Sequence, residues 1–171
     1  ELPDPLMRQM LWHSLWESVV DGKLSARAFL ELALTHLPRE KEALIVSLVS
    51  RRLVDPSGRR LSAVKFLDAD SRKLYRAKLE ALARTTMMNA TPGSDRQIAW
   101  FVTYLDAATT PEANRWLEAL LARKSRIPGL RLSQNRRWSL LQTLARNGAS
   151  SAGPLIERAI IAPGAGTASR E

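Results

Sequence analysis

The sequence has no cysteine and only two histidines, His13 and His36. Without cysteine the chain can form no disulfide, and it offers no thiolate as a metal ligand or nucleophile. A hydrolytic zinc site needs three protein ligands and an open position. His13 and Glu17 share a helix face and could hold half of such a site, but we interpret them as an exposed i,i+4 polar pair because no third ligand suggests itself. The sequence therefore predicts no metal ligand and no catalytic residue in this chain.

Long apolar runs and strand patterns are also missing. No segment reaches the roughly 18 apolar residues that a bilayer-spanning helix needs, so we expect no membrane partner. The first residues, ELPDPLMRQM, lack a basic head followed by an apolar run, so we expect no signal peptide. No glycine-rich phosphate loop follows a strand, and the serines stand at predicted helix caps rather than in a nucleophile elbow.

Acidic residues are fewer than basic ones: the chain has 17 Asp and Glu and 26 Lys and Arg, which gives a net charge of +9. Such a balance favours anionic partners, namely nucleic acid, anionic lipid or peptide carboxylates. A solvated basic surface explains the same charge, because charge alone does not identify a partner. The basic residues are mixed with acidic ones, as in RKLYRAKLEALAR, which argues against a nucleic-acid-binding stripe. A basic helical scaffold that binds nucleic acid or protein remains the alternative function.

What the chain does contain is a succession of capped amphipathic segments. Ser25 precedes an apolar pattern at i, i+3, i+4 and i+7, and similar patterns follow the other caps. The predicted helix starts are Asp4-Pro5, Ser25, residue 40, Ser71, Ser94, Thr110-Pro111, Ser133 and about Gly153. About eight helices with short links predict an all-α fold of stacked antiparallel pairs, a HEAT-like curved array, although a compact bundle has the same periodicity. We expect a single domain over residues 1–171, with residues 163–171 as a frayed tail.

The five tryptophans lie within helices beside aliphatic residues, which predicts core packing for most of them. Trp138 shares its predicted inner face with Leu141, Leu144 and Ala145. If its ring is fully buried, Trp138→Ala would cost roughly 3–5 kcal/mol of stability.

Three segments together resemble one family: LWESVVDGKLSARAFLELAL, TPGSDRQIAWF and IPGLRLSQNRRWSLLQTLARNG. In this order they are similar to the C-terminal helical domain of bacterial M1 aminopeptidases of the aminopeptidase N type, which is related to that of the endoplasmic reticulum aminopeptidases. The similarity extends from about Pro5 to Ala162 and is weakest over residues 55–69. Where the family has an acidic residue after its PGL-x-L motif, this sequence has Ser133, which has similar capping chemistry.

The resemblance implies a fragment of a larger bacterial, cytoplasmic zinc aminopeptidase. The family's zinc-binding HEXXH and its GAMEN motif do not occur in these residues. The resemblance thus implies that zinc belongs to the catalytic domain of the same polypeptide, which is the expected partner together with peptide substrates. It further implies a non-catalytic role: enclosing the active-site chamber and controlling peptide access. No catalytic residue is carried over to this chain, so we expect no peptidase activity from it alone.

Arg136 and Arg137 are the candidate substrate-binding residues. They stand at the start of the predicted Trp138 helix, where two cations oppose the helix dipole and an anionic group would compensate. In a peptidase chamber that group could be the C-terminal carboxylate of a substrate, held by charge-assisted hydrogen bonds. A solvated helix start explains the pair equally well.

Overall fold

The computed structural model describes residues 2–161. Over that range it contains eight α-helices and no strand, so the predicted all-helical fold is confirmed. Two short 3₁₀ helices, Leu37–Arg39 and Ala63–Phe66, lie between α-helices. The α-helices are α1 Pro5–Val20, α2 Ala26–His36, α3 Ala43–Leu53, α4 Ala69–Asn89, α5 Asp95–Ala107, α6 Pro111–Leu121, α7 Gln134–Arg146 and α8 Ala152–Ile161. The predicted frayed tail, 163–171, lies outside the described residues.

The chain forms two compact units. Unit 1 comprises residues up to 110 together with 126–131, and contains α1 to α5; unit 2 comprises 111–125 and the residues from 132 onward, and contains α6 to α8. The expectation of a single domain over residues 1–171 stays a prediction.

Most helix starts follow the predicted caps, because a side-chain oxygen satisfies an amide that has no partner within the helix. Asp4 accepts from the Leu6 amide at 2.9 Å, and Ser94 accepts from the Gln97 amide at 3.1 Å. The predicted start at Ser71 is wrong. Helix α4 begins at Ala69 because the carboxylate of Asp68 caps it, accepting from the Ser71 amide at 2.8 Å.

The core of unit 1 is aromatic and aliphatic, and helix α5 packs against both α3 and α4. Trp100 and Tyr104 on α5 are almost completely buried, as is Phe29 on α2. The Trp16 ring lies 5.6 Å from the Phe29 ring, a distance typical of aromatic pairs in cores. Of the five tryptophans, Trp16 and Trp100 are buried, while Trp12, Trp116 and Trp138 are partly exposed.

Two Pro-Gly turns of unit 1 meet backbone to backbone. Gly93 and Gly129 both have positive φ, at 79° and 75°, and a methyl group built on Gly129 would come within 2.4 Å of the Gly93 nitrogen. The fully buried Gln97 side chain bonds both turns: its Oε1 accepts from the Gly93 amide at 2.8 Å, and its Nε2 donates to the Pro128 carbonyl at 3.0 Å. Buried amide groups are normally bonded, and here one side chain satisfies both partners.

Unit 2 buries leucines of α6 and α7, including Leu117, Leu140 and Leu144. Polar contacts connect its segments: Asn147 donates to Asn114 at 2.8 Å, and Ser151 donates to Glu118 at 2.5 Å.

The predicted inner face of α7 is partly wrong. Ala145 is exposed and Trp138 is partly exposed, whereas Leu140, Leu141, Thr143 and Leu144 are buried. Thr143 is accommodated in the core because its hydroxyl donates to the Ser139 carbonyl at 3.0 Å. The cost of roughly 3–5 kcal/mol applies to a completely buried tryptophan, so it describes Trp100 rather than Trp138.

The loop after α3 is organised by Asp55, whose side chain is inaccessible to solvent. Its carboxylate accepts from the Arg60 amide at 2.8 Å and from the Ser57 hydroxyl at 2.7 Å. Burial alone would raise the pKa of Asp55, but these donors outweigh it and lower the pKa to about 2. The ionised form therefore stabilises the fold.

We expect Asp55→Asn to lower the free energy of unfolding by about 2 kcal/mol at neutral pH, because hydrogen bonds to a charged acceptor are lost or weakened. The pKa is depressed in the folded state, so this contribution is present above about pH 4 and is lost as the pH falls toward about 2. Urea titrations of both forms from pH 7 to pH 2 measure it. The exposed Asp21→Asn is the control; a wild-type advantage over Asp55→Asn that stays constant with pH would contradict this account.

Candidate functional site

Arg136 and Arg137, the predicted substrate-binding residues, lie in the first turn of α7 in unit 2. Ser133 caps this helix, since its hydroxyl accepts from the Arg136 amide at 3.4 Å. Both arginines are partly buried, and the first turn carries no acidic side chain. The two cations thus stand at the positive end of the helix dipole, where an anion is favoured.

His13 and Glu17 lie on α1 with 3.6 Å between the imidazole Nδ1 and the carboxylate, and more than half of each side chain is exposed. Arg52 of α3 lies 3.0 Å from the same Nδ1. A guanidinium can only donate, so Nδ1 accepts from it and that lone pair is in use. Among residues 2–161, no group of three or more His, Cys, Asp or Glu side chains is arranged to hold a metal ion.

A groove of about 870 Å³ lies along α1 in unit 1, between residues 2–15 and residues 32–42. Its wall is built around an ion pair. Arg8 donates from Nε and Nη2 to both oxygens of Glu40, each at 2.9 Å. Arg8 also donates to the carbonyls of Leu2 and Pro3, which holds the first residues against α1.

Glu40 accepts from the amides of Lys41 and Glu42 as well, at 2.9 and 3.0 Å. Burial would raise the pKa of Glu40, but the bonds from Arg8 and these amides lower it below its ordinary value. Arg96 of α5 donates to the carbonyls of Glu40 and Pro38 at 2.7 and 2.5 Å. Sequence reasoning missed this cluster because its members are 32 to 58 residues apart and show no local signal.

Several other cations also bond backbone oxygens. Arg72 donates to the carbonyls of Val64 and Leu67, and Lys65 donates to those of Gly58 and Arg60. Part of the positive excess therefore stabilises loops of unit 1. As for membranes, none of the helices within residues 2–161 combines the length and the apolarity that crossing a bilayer requires.

These features are those of an all-helical domain with a surface groove in unit 1 and a basic helix N-terminus in unit 2. The family model described as "ERAP1-like C-terminal domain" matches residues 1–159, and the chain belongs to that family. The predicted family is thus confirmed.

The similarity to one known protein agrees with this family. "Aminopeptidase N" of Streptomyces lividans is 28% identical to this chain over 148 residues. The match covers 86% of this chain but only 17% of that protein, so the chain spans about a sixth of the relative's length. The chain is therefore a domain similar to one part of an aminopeptidase.

Proposed function

We propose that this chain is the non-catalytic C-terminal part of a zinc-dependent aminopeptidase, in which it encloses the active-site chamber and controls the access of peptides. The family match over residues 1–159 carries this proposal. The similarity to one part of "Aminopeptidase N" supports it. The zinc ligands and the catalytic residues would come from the catalytic domain of the same polypeptide, in the bacterial cytoplasm.

A domain without reactive groups can act on catalysis through excluded volume and through its electrostatic field. A helical wall excludes substrates that do not fit and positions those that do. The net charge of +9 favours anionic groups, and every peptide with a free C-terminus carries one. With the amino end of the peptide at the zinc, the carboxylate would extend away from the catalytic domain, toward this chain.

We propose that Arg136 and Arg137 contact that carboxylate. The proposal is supported by their position in the first turn of α7, where helix amides and two guanidinium groups favour an anion and the turn itself carries no acidic side chain.

In the full-length polypeptide, replacing both arginines by alanine is expected to lower kcat/KM for peptides with a free C-terminus by at least about tenfold, because charged hydrogen bonds worth roughly 1.5–3 kcal/mol are lost. The same peptides with an amidated C-terminus should change little. Steady-state kinetics on matched free and amidated peptides measure the difference. This assay also tests the parent assignment, because a polypeptide that releases no N-terminal residue is not an aminopeptidase.

The matched control is Lys124→Ala with Arg158→Ala, which removes the same charge from exposed positions of unit 2. A variant with lysine at 136 and 137 keeps the charge but loses the planar guanidinium groups that bind a carboxylate through two hydrogen bonds. It should therefore recover only part of the preference for free over amidated C-termini. Equal losses on free and amidated peptides would remove these arginines from the substrate site.

A further inference from the structure

The first half of α1 exposes a continuous apolar surface. Leu6, Met7, Met10 and Leu11 are each 49–61% exposed, and their spacing places them on one face of the helix; we call these four residues the α1 patch. Scattered exposed apolar side chains are ordinary, but contiguous patches usually mark a contact site. The patch therefore differs from single exposed residues such as Leu74 on α4.

The opposite side of the same helix is also apolar. Trp16 and Val19 are buried there, and the Trp12 and Trp16 rings pack on Phe29 of α2. A helix with apolar residues on two opposite sides is typical of the interior of a helix stack, where it has a neighbour on each side.

Further along α1 the outward face becomes polar, with Ser14 and Glu17 exposed. The patch is thus limited to the first two turns of the helix.

No charge interrupts the patch, although Arg8 lies within its sequence. The Arg8 side chain is directed into the groove, where it bonds Glu40 and the carbonyls of Leu2 and Pro3. Leu11 belongs both to the patch and to the groove wall, which also includes Leu15 and Leu32. The patch therefore borders the groove at Leu11.

We infer that a further helix, from the polypeptide that precedes Leu2 in the longer protein, packs on the α1 patch. In stacked helical repeats the terminal helix has a polar outer face, and α1 lacks one over its first two turns. The family is that of a C-terminal domain, and the similar aminopeptidase is about six times as long as the matched segment, so polypeptide is available on this side.

A preceding helix is favoured over a second copy of the chain because it is tethered. A tethered segment has an effective concentration in the millimolar range, so a patch of four side chains is sufficient. A second copy would have to offset the full loss of translational and rotational freedom with the same small surface. The inference does not depend on peptidase activity.

The methionines of the patch provide the test. Oxidation of methionine by dilute hydrogen peroxide depends on exposure, and peptide mass spectrometry measures it at each site. The test compares the chain of residues 1–171, a version extended by the roughly 45 preceding residues that make one more helix pair, and the full-length polypeptide. Met88, 41% exposed on α4, and the buried Met87 give reference rates within the same chain.

We expect Met7 and Met10 to oxidise at rates near that of Met88 in the chain of residues 1–171, and at least about tenfold more slowly in both longer polypeptides. Unchanged rates in both would overturn the inference. Protection in the full-length polypeptide alone would also overturn it, since another domain would then cover the patch. Protection in the 1–171 chain that rises with its concentration would make a second copy the occupant. Peptidase assays on the full-length preparation test the proposed function separately.

Discussion

Gly129→Ala is expected to lower the free energy of unfolding of the chain by roughly 2–5 kcal/mol, because two costs add at this position. The first is conformational: Gly129 has a φ of 75°, which an alanine adopts only with strain. The second is steric: the new methyl group would lie 2.4 Å from the Gly93 nitrogen and 2.5 Å from two Pro92 atoms. Backbone atoms cannot move aside as the end of a flexible side chain can.

Gly22→Ala separates these two costs. Gly22 has nearly the same φ, 73°, but a methyl group there would meet nothing within 4 Å. It should therefore cost only the conformational part, about 1–2 kcal/mol. Urea unfolding followed by circular dichroism gives both values. If the two glycine variants lost equal stability, the close approach of the two Pro-Gly turns would be wrong.

Gln97→Leu is expected to destabilise the chain by about 2–4 kcal/mol, although leucine has a similar volume and the site is completely buried. The substitution leaves the Gly93 amide and the Pro128 carbonyl without the partners that Gln97 supplies at 2.8 and 3.0 Å. An unsatisfied buried group costs roughly 1–3 kcal/mol, which outweighs the better burial of leucine.

Gln142→Leu is the matched control, since Gln142 lies exposed on α7 and should change stability by less than about 0.5 kcal/mol. Gln97→Leu and Gly129→Ala act on the same two turns, so the double variant should lose less stability than the sum of the single ones. Strict additivity would show that the glutamine does not link the turns.

The sequence shows the two Pro-Gly pairs, 92–93 and 128–129, but not the contact between them. Proline and glycine mark turns through local backbone preferences, which a sequence displays directly. The approach of Gly129 to Gly93 joins positions 36 residues apart and depends on how the helices between them pack. The buried Gln97 was missed for the same reason, because a polar residue after a serine cap looks like a solvent-exposed one.

Helix phase was predictable only where large side chains determine it. On α2, the apolar pattern that follows Ser25 includes Phe29 and Leu30, and both are completely buried. On α7, the small Ala145 was counted as apolar and placed inward, but it is exposed, while the polar Thr143 is buried. Burying a small residue gains little free energy, and a threonine can satisfy its hydroxyl within the helix. The apolar pattern therefore did not identify the buried face of α7 correctly.

Only part of the candidate site was predictable from the sequence. The position of Arg136 and Arg137 at the start of α7 followed from the Ser133 cap, which is a local signal. The link between Arg8, Glu40 and Arg96 did not, because contacts between residues far apart in sequence depend on the fold. Apolar residues occupy most of the circumference of α1, and the sequence does not show which of them lack a neighbour; the structure shows that those of the α1 patch do.

The most direct test of the account removes this domain from the full-length polypeptide and measures kcat/KM on two substrate classes. In the proposed parent enzyme, single amino acids linked to a chromogenic leaving group would need only the catalytic domain, while long peptides would also extend toward this chain. We predict that the ratio of long-peptide to chromogenic kcat/KM changes by at least about tenfold on deletion, since different transition-state contacts are lost for the two classes. A uniform loss on every substrate would contradict a role in peptide access and would leave the domain only a structural support.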